Sequence, residues 1–179
     1  MQEAGLFMEL AAIAGVFVGF GALIAVRSGG PTDPGEVAPI RYVVSAGVLT
    51  IFTALVPVNL GLLGLAGHQV WALSSVLFLA CEFVFAVVVL RTPEYRALAA
   101  GEADAMRVSS RSRWLVVVRD VVLNGLLIFA SLAIPIVILV GVVPDIEAGL
   151  YFALVALSLF GAAVTLLWLV FAQRRPTAA

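Results

Sequence analysis

The sequence predicts an all-α fold: a polytopic membrane bundle of five transmembrane helices forming a single domain over residues 1–179. Three observations carry that prediction. Of the 179 residues, 63% are hydrophobic and only 12% are charged, against about 25% charged in an ordinary soluble domain. The apolar residues fall into five stretches. Each is near the roughly 20 residues needed to cross about 30 Å of hydrocarbon at about 1.5 Å per residue. All ten cations are arginines, and they gather in alternate gaps between those stretches. Too few polar groups remain to cover a water-facing surface, so a soluble domain is excluded. Chain disorder is excluded by the same apolar excess.

The first span is expected over Gly5–Val26. It carries small residues four apart, Ala11, Gly15 and Gly19, with Gly21 beyond. Such a face lets a second backbone approach closely, on the bundle or on another subunit. Glu3 and Glu9 lie here with no positive residue before the span, so a cleaved signal peptide is not expected. A Pro/Gly-rich loop over residues 27–41 leads to the second span, Tyr42–Leu65. The turn Ala66–Gln69 joins it to the third, Val70–Leu90. A long polar loop, residues 91–119, follows. In it, Thr92 suits an N-cap with Pro93 at the first helical position. Its basic end, Arg107, Arg111 and Arg113, is expected to meet lipid headgroups, each arginine contributing about 1 kcal/mol beside anionic lipid. The fourth span is Val121–Val143, and the tight turn Pro144–Glu147 leads into the fifth, Ala148–Ala172.

Arginine position predicts orientation, because cytoplasmic loops near spans collect positive charge. Arg27 and Arg41 bracket the first loop. Arg91, Arg96, Arg107, Arg111, Arg113 and Arg119 occupy the third, and Arg174 and Arg175 the tail. All ten therefore fall on one side, expected to be the cytoplasmic side of a cytoplasmic (inner) membrane. That places the N-terminus out and the C-terminus in, as an odd number of spans requires. Tyr42, Trp71, Trp114, Tyr151 and Trp168 stand near span ends, where amphipathic rings favour the interface.

Spans two and four align at a constant offset. Arg41, Val43, Val44, Gly47, Leu49 and Pro57 match Arg119, Val121, Val122, Gly125, Leu127 and Pro135, six identities in about 17 positions, and Thr53 faces Ser131. Arg91-Thr-Pro93 and Arg174-Arg-Pro176 close the two partner spans alike. The pattern implies a leading helix followed by two copies of a hairpin, a parallel repeat of the kind found in transport proteins. Each proline frees the carbonyl four residues earlier, at Thr53 and Ser131. Both positions bear hydroxyls that can re-bond locally or face a water-filled cavity.

Glu82 is the outstanding intramembrane ionisable residue. It lies nine residues before Arg91, about 13 Å along the helix and near mid-bilayer, where a charge costs at least about 2.5–3.5 kcal/mol. Two readings compete: a proton-accepting or cation-coordinating site, and a neutral glutamic acid bonded across helices. Asn124 stands one turn deeper than the border pair Arg119 and Asp120 and is a candidate partner for Glu82. His68, in an outer turn, is expected to be solvated.

Absent chemistry narrows the function classes. There is no lysine for a Schiff base, and a single histidine cannot give two axial haem ligands. One cysteine, Cys81, makes no disulfide framework. No HExxH, CxxC, P-loop or dinucleotide fingerprint is present, so an enzyme is poorly supported and no cofactor, metal or nucleic-acid partner is expected. The expectation is a small permeation protein, channel or transporter-like and homo-oligomeric, for a small ion or protons. Its alternatives are a non-transporting membrane subunit and a lipid-binding protein.

Overall fold

A computed structural model describes residues 3–27, 34–93, 96 and 111–172; for residues 27, 34–36, 38, 111–124 and 168–172 only the backbone is described. Five long helices dominate: α1 (Ala4–Arg27), α2 (Pro34–Leu62), α3 (His68–Arg91), α4 (Arg111–Val140) and α5 (Glu147–Ala172), with a 3-10 turn at Pro144–Ile146. No strand occurs among the described residues. Four stretches are long and apolar enough to cross a membrane: Ala4–Val26, Pro39–Leu62, His68–Arg91 and Pro144–Leu167. In α4 the described apolar stretch is Gly125–Val140. The chain is thus an all-helical, multi-pass membrane protein. Its surface agrees, since Leu23, Leu63, Phe83, Leu90 and Phe129 are all exposed. Such a surface would aggregate in water and suits lipid.

Two helices begin earlier than the hydropathy suggests. α2 starts at Pro34, within the expected loop, and α4 starts at Arg111, within the expected polar segment. Hydropathy marks where hydrocarbon begins, whereas the backbone ladder, once nucleated, extends beyond that border. Proline at the first helical position suits the α2 start, where an N–H would lack a partner anyway. α2 and α4 both stop three residues short of the expected borders, beside glycines at positive φ. Gly141 (φ 68°) follows α4, while Gly64 (φ 88°) and Gly67 (φ 60°) shape the α2–α3 turn. A side chain would strain those turns. Thr92 closes α3: its hydroxyl donates to Val88 O (2.7 Å) instead of capping forward, while residues 93 and 96 are helical.

α5 touches all four other helices. α2 also lies against α1 and α3, and α3 against α4. Exchanging α2–α3 with α4–α5 preserves the neighbour pairs among those four helices. Phe7, Leu10 and Ala14 form the buried stripe of α1, and they join Phe78, Ile138, Tyr151, Leu154 and Val155 in one core. Tyr151 sits amid rings, with Phe7 and Trp71 each 6.0 Å away and Phe78 at 6.4 Å. Each such pair adds about 0.5–1.5 kcal/mol, which counts where lipid offers no competing hydrophobic drive.

α1 and α2 meet through Gly21 and Gly47. A Cβ at Gly47 would lie 2.6 Å from Val18 Cγ2 and 3.3 Å from Ala14 O, and one at Gly21 would lie 2.8 Å from Val44 Cγ2. Within the expected small-residue stripe, Ala11 packs on the core. A Cβ at Gly15 or Gly19 would meet nothing within 4 Å. The close approach therefore uses the neighbouring face, and the Gly15–Gly19 side stays open.

Candidate functional site

Glu82 lines a cleft of about 110 Å³ between four helices. α2 contributes Tyr42, α3 contributes Glu82 and Phe85, α4 contributes Ser131, and α5 contributes Ser158 and Gly161. The Tyr42 ring packs 5.8 Å from Phe85, and a Cβ on Gly161 would come within 3.5 Å of the Tyr42 hydroxyl. Glu82 is partly buried, and among the described residues its carboxyl makes no hydrogen bond. It faces the cleft without a described protein partner. A space of this size accepts several waters or one partly hydrated ion beside the carboxyl.

The structure brings Glu82 and Ser131 together and leaves Thr53 and both prolines outside the lining. Ser131 Oγ donates to Ile128 O (2.9 Å), within its own helix. Thr53 Oγ1 likewise donates to Leu49 O (2.9 Å). The carbonyl that Pro57 frees, Thr53 O, accepts from the Tyr151 hydroxyl at 2.9 Å, across 98 residues of chain. Pro57 and Pro135 are both buried. Pro57 is accordingly packed and its freed carbonyl satisfied from α5, whereas Ser131, four residues before Pro135, borders the cleft. The side chains of Arg111, Arg113, Arg119, Asp120 and Asn124, and all of Arg107, lie outside the described residues.

Sequence reasoning missed a second feature at the far end of α3. His68 Nδ1 lies 2.6 Å from Glu147 Oε1. Glu147 is 1% exposed and His68 is 44% exposed, so the histidine expected to be solvated lids a buried carboxyl. Gly141 packs against the imidazole ring, where a Cβ would sit 3.5 Å from Cε1. His68, Ser75 and Glu82 recur every seven residues on α3, and Glu147, Tyr151 and Ser158 fall within about 40° of one line on α5. That periodicity was available in the sequence; what lay opposite each residue was not.

Comparison with known protein families, with curated proteins and with solved structures finds no match to the chain. Function is therefore argued from the residues.

Proposed function

We propose that the protein is a small permeation protein, channel or transporter-like, that passes a small ion or protons across the cytoplasmic membrane. In this reading α4 also crosses the membrane, as the fourth of five spans, the N-terminus is outside, the C-terminus is inside, and the chain assembles as a homo-oligomer. One observation carries the reading. Glu82, nine residues from the arginine-bearing end of α3, borders a half-open cleft with the hydroxyl-bearing residues Tyr42, Ser131 and Ser158. An intramembrane carboxyl is costly, and facing a cleft with no bonded partner among the described residues suits a site for a transient cation. The cleft is too small for a lipid or drug-sized ligand, which fills about 300–1,000 Å³.

The rival, a non-transporting membrane subunit, draws support from the packed Pro57 kink. Flux in proteoliposomes separates the two. Wild-type protein should dissipate an imposed ion or pH gradient, and Glu82→Gln should slow this at least tenfold, as expected when one charged site of about 1.4 kcal/mol or more is lost from the path. Equal flux in both proteins removes Glu82 from the mechanism, and no flux in either favours the subunit.

A further inference from the structure

Resting on the permeation reading, we propose that the permeant is the proton, carried along a polar seam between α3 and α5. The two helices oppose polar groups at three levels. At one end His68 and Glu147 are 2.6 Å apart. In the middle the Tyr151 hydroxyl donates to Thr53 O at 2.9 Å and lies 3.5 Å from Ser74 O. At the other end Glu82 and Ser158 line one cleft. The spacing of His68, Ser75 and Glu82 puts the levels about 10 Å apart along α3.

The middle level departs from the habit of the other hydroxyls. Thr50, Thr53, Ser131, Ser158 and Thr165 all donate to a carbonyl three or four residues earlier in their own helices. Ser74 Oγ and Ser75 Oγ do not. Both are fully buried and have no hydrogen-bond partner among the described residues. Buried hydroxyls are almost always bonded, so this pair, with the Ser74 backbone beside Tyr151, is suited to exchanging partners. A hydroxyl that accepts a proton on one side and releases its own on the other passes charge without moving.

The same packing argues against metal ions. Phe78, Thr53, Ser74, Ser75 and Tyr151 are all at 0% exposure, and the 110 Å³ cleft lies at the Glu82 end. A sodium or potassium ion needs a ring of oxygens to replace its hydration shell, and two serines with one tyrosine do not form one. A proton needs only successive lone pairs. In the proposed route His68 and Glu147 receive it, the Ser74, Ser75 and Tyr151 hydroxyls hand it on, and Glu82 releases it to water in its cleft. Each station gains one proton as it loses one, and nothing is oxidised or reduced.

The test reconstitutes the full chain in phosphatidylcholine–phosphatidylglycerol vesicles. Proton uptake is read with an entrapped pH dye under a potassium diffusion potential, and sodium and potassium fluxes are read separately without ionophore. Wild-type protein should carry protons and neither metal ion. Ser75→Ala and Tyr151→Phe should each cut proton flux about tenfold, a barrier increase of about 1.4 kcal/mol for one lost relay hydroxyl, while Ser75→Thr restores it. Thermal melts in detergent establish that each variant is folded. Sodium or potassium flux abolished by Glu82→Gln overturns the proton assignment and leaves permeation standing. Wild-type proton flux in Ser75→Ala overturns the seam. No flux of any ion in the wild type overturns both.

Discussion

Glu147 stands in a turn and reads as an ordinary first-turn acid, favourable to the helix dipole. Burial changes its meaning, because 1% exposure leaves His68 as the partner that meets its carboxyl. The two members of the pair should therefore respond unequally. His68→Ala should cost about 1–3 kcal/mol by leaving a buried carboxyl unpartnered. Glu147→Gln, which keeps a hydrogen-bonding oxygen opposite a half-exposed imidazole, should cost less. Thermal unfolding in detergent measures both, and equal losses would show that the contact is incidental. Tyr151 also stabilises a neighbour's backbone, since its hydroxyl satisfies the carbonyl Pro57 frees. Tyr151→Phe should lose about 1–3 kcal/mol for that orphaned acceptor. In a Pro57→Ala background the helix ladder can take up the Thr53 carbonyl, so the loss should shrink, and an undiminished loss would separate the hydroxyl from the kink.

Among the elements, α1 and α2 show what sets a helix pair. Gly47 and Gly21 let the backbones close, whereas the Gly15 and Gly19 positions open to empty space. Gly47→Val should destabilise the fold by about 1–3 kcal/mol through overpacking against Val18 and the Ala14 carbonyl. Gly15→Val should leave the protomer's melting temperature unchanged. If the open face joins subunits, the same Gly15→Val should lower the mass of the detergent-solubilised oligomer, read by light scattering. An unchanged mass moves the subunit contact elsewhere. The four-residue spacing of Ala11, Gly15 and Gly19 was visible in the sequence, but which of two adjacent small-residue faces meets α2 was not. That depends on the crossing of α2, which no property of α1 encodes.

For the whole molecule, the orientation proposed from ten arginines on one side leads to a direct expectation. A reporter active only outside the cell should work when fused before Met1 and fail when fused after Ala179. Activity at Ala179 would reverse the assignment and place the Glu82 cleft nearer the outer face. Exchanging α2–α3 with α4–α5 leaves their neighbour pairs unchanged, and the repeat proposed from Arg41–Pro57 and Arg119–Pro135 further requires the two hairpins to superpose with both prolines at equal depth. The repeated prolines nevertheless meet different surroundings. Tyr151 bonds the Thr53 carbonyl, while Ser131 borders a cleft.

Amino-acid order by itself determined that the chain is helical and crosses a membrane. Apolar runs of about 20 residues leave the backbone no option in hydrocarbon but to satisfy its own hydrogen bonds within each helix. It also singled out Glu82, because one carboxyl in an apolar run is costly wherever the neighbours lie. Helix ends were less legible, as at Pro34 and Arg111, since hydropathy reports the lipid border and not the end of the ladder. Only the tertiary structure decided that Glu147 is covered by His68, that Tyr151 bonds Thr53 across 98 residues, and that Tyr42, Ser131 and Ser158 border the Glu82 cleft. Those contacts depend on which helices become neighbours and how they are rotated. In lipid that choice rests on small residues and a few polar bonds, not on an apolar face that every one of these helices shares.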